Sequence, residues 1–166
     1  DLGVEWKGID FSMFWQGVAK RDLWLDGLMF WGISGGEWQS TGLKEHLDYY
    51  RPENTTSVFG PNTNAYFPKM YMSKDMNQKV QTRYLQNGAY ARLKNIQLGY
   101  TFPTQIINKL HMQKLRVYVS AENVLTITSL PSGFDPETTY SSYSDGNSGK
   151  TYPLQTTISF GLHATF

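Results

Sequence analysis

The last residues of the chain alternate strictly. Leu154, Thr156, Ile158, Phe160, Leu162, Ala164 and Phe166 share one parity; Gln155, Thr157, Ser159, Gly161, His163 and Thr165 share the other. Successive side chains of a strand point to opposite sides, so the run predicts a strand with one apolar face and one small, polar face. Three earlier runs alternate in the same way. Between Val4 and Val18, Ile9, Phe11, Met13 and Trp15 oppose Asp10, Ser12, Phe14 and Gln16. Between Gly88 and Phe102, Ile96, Leu98, Tyr100 and Phe102 oppose Asn95, Gln97, Gly99 and Thr101. From Lys114 to about Thr126, Leu115, Val117, Val119 and Ala121 oppose Arg116, Tyr118, Ser120 and Glu122. The second of these runs breaks phase in its first half, where Arg92 and Lys94 share the parity of Ile96. That break predicts a bulge, or a stretch that leaves the apolar layer.

Strands are therefore predicted at 4–18, 88–102, 114–126 and 152–166. The links between them are unequal. Residues 19–87 form a long link rich in Gly, Pro, Asn and aromatics. Residues 103–113 form a short one, with Pro103 starting a helical turn over Thr104–Leu110, and 130–151 is long again. Long, short, long is the pattern of an up-and-down barrel with long outer loops and short inner turns. A secreted sandwich strand would alternate equally well, but structureless links beyond ~12–15 residues are uncommon in compact soluble domains. Four strands cannot close, since the smallest single-chain barrels need about eight. Open edges cannot lie in lipid, where unpaired N–H and C=O groups find no partner. The fold class is all-β. The expectation is four antiparallel strands of a larger transmembrane barrel, not completed in this chain. Opening on Asp1 without a signal peptide, the chain reads as part of a longer or processed polypeptide.

Composition narrows the function classes. Of the 166 residues, 17% are charged and 15% aromatic. Such an aromatic excess suits sugar stacking or membrane girdles and argues against disorder. A net charge of +1 with no basic stripe gives no case for nucleic acid. The absence of cysteine removes disulfides, thiolate metal sites and thiol nucleophiles. No run approaches the ~20 apolar residues of a membrane helix. A mean hydropathy of −0.45 does not exclude barrel strands, which keep one polar face.

At Asn87-Gly88-Ala89-Tyr90-Ala91-Arg92-Leu93-Lys94-Asn95-Ile96-Gln97-Leu98-Gly99-Tyr100-Thr101-Phe102-Pro103 the chain resembles the C-terminal part of the SusC/RagA-like TonB-dependent outer-membrane transporters of Bacteroidetes. Every fixed position of their N-G-x-Y-x-R-L-K-N-I-x-L-G-Y-x-x-P signature is present. Leu115-Arg116-Val117-Tyr118-Val119-Ser120-Ala121-Glu122-Asn123-Val124 resembles the next family strand, and Gly133-Phe134-Asp135-Pro136-Glu137 the following loop. Tyr152-Pro153 and the final G-L-x-x-x-F close the pattern. Upstream, Leu47 to Asn54 is similar to the stretch ending in P-E-N, with Tyr50 in place of the usual Trp, and Trp6 to Ser12 with Gln16-Gly17 is similar to the strand before it. The match runs in order over nearly the whole chain.

The resemblance implies the last four strands of a 22-stranded barrel around an N-terminal plug. It implies a bacterial outer-membrane location with the C-terminus periplasmic, loops 19–87 and 130–151 extracellular, and turn 103–113 periplasmic. The implied function is import of glycans or oligopeptides. This segment would close the barrel and supply outer loops. The implied partners are the rest of the barrel and its plug, a SusD-like surface lipoprotein, the TonB complex through the absent N-terminal part, membrane lipid, and an oligosaccharide or peptide ligand. Lipid-facing side chains are then expected at Ile9, Phe11, Met13, Trp15, Ile96, Leu98, Tyr100 and Phe102. On the later strands they are Leu115, Val117, Val119, Ile158, Phe160, Leu162 and Phe166. Tyr100, Phe102 and Phe166 would form an aromatic girdle at the inner interface. Two other classes compete: a secreted carbohydrate-binding β-sandwich, and an outer-membrane barrel without TonB coupling.

No catalytic role, metal or cofactor is expected. A glycosidase needs two carboxylates held across a bond, and Asp135 and Glu137 lie in one turn. His46, His111 and His163 lack zinc spacing and are read as solvated or lumen-facing. Asp145-Gly146-Asn147-Ser148-Gly149 lacks the EF-hand pattern and reads as a turn. Ligand or partner contacts are expected from the loops: Trp38 first, then Tyr49, Tyr50, Phe59, Tyr66, Phe134, Asp135, Tyr140 and Tyr143. For any single aromatic among them, packing within the loops is the commoner role. Trp24-Leu25-Asp26-Gly27-Leu28-Met29-Phe30-Trp31 is too apolar to stand in water and is expected to continue a strand, pack, or meet a partner.

Overall fold

The computed structural model describes residues 1–32, 42–71, 75–139, 149 and 151–166. In chain order its strands are β1 (Leu2–Trp6), β2 (Ile9–Val18), β3 (Asp22–Trp24), β4 (Leu85–Asn87), β5 (Tyr90–Thr101), β6 (Lys114–Thr128) and β7 (Thr157–Thr165). The chain divides into two compact units, Asp1–Arg21 with Gly88–Ser129 and Leu154–Phe166, and Asp22–Asn87 with Leu130–Pro153.

The first unit is one antiparallel sheet of order β1-β2-β5-β6-β7. It has five strands where four were expected, because the run 4–18 is a hairpin. Lys7 (φ 48°) and Gly8 (φ 85°) both adopt left-handed backbone, the signature of the two-residue type I′ turn that matches strand twist. The Gly8 carbonyl accepts a hydrogen bond from the Thr101 N–H at 2.7 Å. The turn also resets parity: Val4 pairs with Phe11 and Trp6 with Ile9, so β1 adds its own apolar side chains to the face of β2.

Register explains the sidedness of the sheet. Directly opposed residues of antiparallel strands share a face. One row runs Val4–Phe11–Leu98–Val119–Phe160, flanked by Trp6–Ile9–Tyr100–Val117–Leu162 and Leu2–Met13–Ile96–Ala121–Ile158. None of these side chains is charged. The opposite face carries Glu5–Asp10–Gly99–Tyr118–Gly161 and Gly3–Ser12–Gln97–Ser120–Ser159. The expected phase break is a bulge. The register shifts between Leu93 and Asn95 on β5, and Asn123 (φ 52°) with Val124 falls between Glu122 and Leu125 on β6. Leu93 thereby aligns with Trp15 and Leu125. Thr104–Ile107 forms a single helical turn after Pro103, followed by a 3₁₀ turn at Asn108–Leu110.

The second unit is built from the two long links together. A short ribbon, β3 with β4, joins the ends of the first link. Leu25, Phe30, Trp31, Phe67 and Tyr84 from that link enclose a core with Leu130 and Phe134 from the second. The rings meet mostly edge to face, the arrangement favoured by aromatic quadrupoles. Trp31 and Tyr84 are 4.9 Å apart at 76°, and Phe30 and Trp31 are 5.1 Å apart at 89°. The apolar stretch 24–31 is thus packed against its own chain.

Candidate functional site

The apolar face of the sheet is bare. Phe160 is 84% exposed and Ile158 63%. Water-soluble monomers rarely leave a contiguous apolar face of this kind open. At its turn end stand Trp6, Tyr100 and Phe102, the last two edge to face at 5.1 Å, and the Lys7 ammonium lies 4.8 Å from the Trp6 ring. Trp6 escaped the sequence reading because its parity is opposite to that of Ile9. The Lys7-Gly8 pair between two alternating runs was the signal that could have found it.

The polar face is organised by two bare positions. Arg116 reaches from β6 across Gly99 to Asp10 on β2, its Nε donating to Oδ1 at 2.9 Å and Nη2 to Oδ2 at 2.5 Å. A Cβ on Gly99 would stand 2.5 Å from both Arg116 Nη2 and Asp10 Oδ1. The Tyr118 ring leans the other way, over Gly161, and a Cβ there would run into it. The Arg116 guanidinium lies 4.9 Å from the Tyr118 ring centroid. One strap of side chains therefore spans four strands. Near the bulge, Arg92 is buried and donates through Nε to Thr126 Oγ1 at 2.8 Å.

The second unit places the expected contact residues unequally. Trp38, Tyr140 and Tyr143 lie outside the described residues, as does 145–148 of the expected turn. Phe134 is 6% exposed and enclosed by the aromatic core. Asp135 is buried and shapes its own turn, with Oδ1 accepting from the Glu137 N–H at 2.8 Å. Tyr66 and Tyr49 are half-buried against the core. Tyr50 and Phe59 are exposed, the latter at 59%.

Two residues that the sequence did not single out hold this surface together. Arg51 is buried; its Nε donates to the Gly60 carbonyl at 2.6 Å and Nη1 to that of Leu47 at 2.8 Å. It lies 4.7 Å from the Tyr49 ring and 5.9 Å from that of Phe59. Asp48 accepts from Asn62 Nδ2 at 2.8 Å and from the Tyr66 N–H at 3.1 Å. His46, expected to be solvated, is buried. Its Nδ1 accepts from the Leu43 N–H at 2.8 Å, so Nε2 carries the proton and donates to the Phe30 carbonyl at 3.0 Å. Burial pushes the phenol of Tyr84 above its ordinary pKa. Among the described residues no group of three His, Asp or Glu is placed to hold a metal.

Gly32 makes the His46 position possible. Its φ is 57°, and a Cβ would stand 2.6 Å from His46 Nδ1. Gly32→Ala should destabilise this unit by about 1 kcal/mol or more, because the left-handed backbone and the ring clash act together. Hydrogen exchange at the Leu43 amide should accelerate; unchanged protection there would contradict this role for Gly32.

Set beside known proteins, the chain matches no protein-family model. It is 27% identical over 98% of its length to TonB-dependent receptor P3 of Formosa agariphila, covering 15% of that protein. It is 24% identical over 98% of its length to receptor P26 of the same organism, covering 16%. Among solved structures, the RagAB peptide transporter superposes over 99% of the chain with a TM-score of 0.66 and 25% identity, again covering 16% of the matched chain. The open-open state of the RagAB peptide importer gives a TM-score of 0.64 at 23% identity, an agreement in fold. The chain matches a segment of a TonB-dependent receptor barrel. It spans only 15–16% of the relatives named here. The resemblance to SusC/RagA-like receptors carried by the sequence motifs is borne out. As in a segment of such a barrel, the sheet does not close among the described residues. The motif residues also acquire physical roles: Gly99 and Gly161 are the spaces that Arg116 and Tyr118 occupy.

Proposed function

We propose that this segment forms part of the wall and outer loops of a TonB-dependent outer-membrane importer of oligopeptides or glycans. The observation that carries the reading is the uncharged, solvent-exposed face of the five-stranded sheet, which suits acyl chains. In this reading Ile9, Phe11, Met13, Trp15, Ile96 and Leu98 meet acyl chains, as do Leu115, Val117, Val119, Ile158, Phe160 and Leu162. Trp6, Tyr100, Phe102 and Phe166 lie at the periplasmic interface, with the chain's C-terminus on that side. The second unit then stands outside the cell, where Tyr50 and Phe59 can meet ligand or a SusD-like lid. The Asp10–Arg116 strap faces the lumen and the plug. The segment does no chemistry; energy reaches the transporter from TonB through the plug.

Uptake in cells carrying the full-length receptor separates the three classes. Ligand accumulation should cease when TonB is deleted, while the receptor remains in the outer-membrane fraction. Accumulation that survives loss of TonB would favour an uncoupled barrel. Recovery of the protein in water without detergent would favour a secreted carbohydrate-binding sandwich.

A further inference from the structure

The second unit contains a cavity of about 500 Å³ whose walls include Met29, Phe67 and Pro131 and whose polar lining includes Glu45, Asp48 and Gln86. Among the described residues that line it, the charged ones are acidic. These are Glu45 and Asp48; both also line a neighbouring hollow, which Lys44 shares. His46 brings no free group, since both ring nitrogens are engaged. Gln86 spends its Nε2 on the Tyr84 carbonyl at 2.7 Å and the Tyr66 hydroxyl at 3.0 Å, which leaves Oε1 to accept. Asp48 is held in place by Asn62 and the Tyr66 amide.

The cavity is poorly suited to a sugar platform. Phe30 and Phe67 are buried in edge-to-face contacts, and the half-buried Tyr66 ring is likewise set edge to face against Phe67 and Tyr84. Apolar walls with carboxylates at hand fit a flexible hydrocarbon stem ending in a cation.

We propose that this cavity binds the side chain of a lysine or arginine residue of a peptide. The stem lies along Met29, Phe67 and Pro131, and the cationic head meets Glu45 and the field of Asp48. The proposal rests on the importer reading above and narrows its ligand to basic peptides. The Glu45 side chain is exposed, and its substitution is expected to leave the fold of the unit intact.

The test is calorimetric titration of the full-length receptor in detergent with three acetylated hexapeptides. They differ at one central position: lysine, norleucine or glutamate. The lysine peptide should bind at least tenfold more tightly than the norleucine peptide, and the glutamate peptide weakest. Glu45→Gln should reduce that lysine preference several-fold, and Glu45→Lys should reverse the order of the lysine and glutamate peptides. Equal binding of all three peptides would overturn the proposal, as would an unchanged preference in Glu45→Lys or binding of neutral oligosaccharides alone. Outer-membrane fractionation of the same receptor keeps the two readings apart. A receptor that assembles there but ignores lysine refutes only the cavity proposal, whereas one that never enters the membrane refutes the importer.

Discussion

Phe160→Arg should sharply reduce the amount of receptor that assembles in the outer membrane, whereas Ser159→Arg, one residue earlier, should leave it near the parent level. Phe160 lies in the central apolar row, opposite Val119, and is 84% exposed on the sheet. If that face meets acyl chains, an arginine there costs about 2–4 kcal/mol at mid-bilayer, in addition to the lost contacts of the phenyl ring. Ser159 pairs with Ser120 on the polar face, where a guanidinium can stay hydrated. The measurement is the heat-modifiable, folded fraction of full-length receptor in isolated outer membranes. Equal yields from the two variants would overturn the assignment of faces. So would a Ser159→Arg defect as large as that of Phe160→Arg.

The second large effect concerns the strap on the polar face. Gly99→Val should destabilise the barrel by about 1–3 kcal/mol, the usual cost of forcing bulk into filled space. The space at Gly99 is filled by Arg116 and Asp10, whose ion pair crosses directly over it. The same substitution in an Arg116→Ala background should cost less than half as much, because the guanidinium is gone and Asp10 is free to take another rotamer. Residues in contact are expected to be non-additive in this way. Urea unfolding of the four proteins of this cycle in detergent gives the coupling. Additive losses would mean that Gly99 matters for strand conformation alone, not for the passage of Arg116.

Much of the first unit was legible because alternation is local. A period of two needs no knowledge of distant residues, so β5, β6 and β7 and their apolar sides could be read directly, and even the bulge at Lys94 announced itself as a slip of phase. The hairpin at Lys7–Gly8 was harder. Its first position is Lys rather than the usual Asn or Asp, and reading through it left Val4 and Trp6 out of the apolar face. The loop candidates show the opposite situation. Phe134 and Phe59 look alike in sequence, both aromatic and both beside glycine, yet one is enclosed and the other largely exposed. His46 reads as a surface residue until Gly32 is seen to give its ring room.

The sequence by itself determined that this protein is all-β, that its sheet has one face without charge, and that its motifs run in the order of a SusC/RagA-like barrel. Only the tertiary structure decided that five strands stand where four were counted, that both long links share one aromatic core, and that Arg116 and Tyr118 lie over two glycines. The division has a physical origin. Strand faces follow from the geometry of successive peptides. A core joining Trp31 to Phe134, or an ion pair joining Asp10 to Arg116, depends on which distant segments the folded chain brings together.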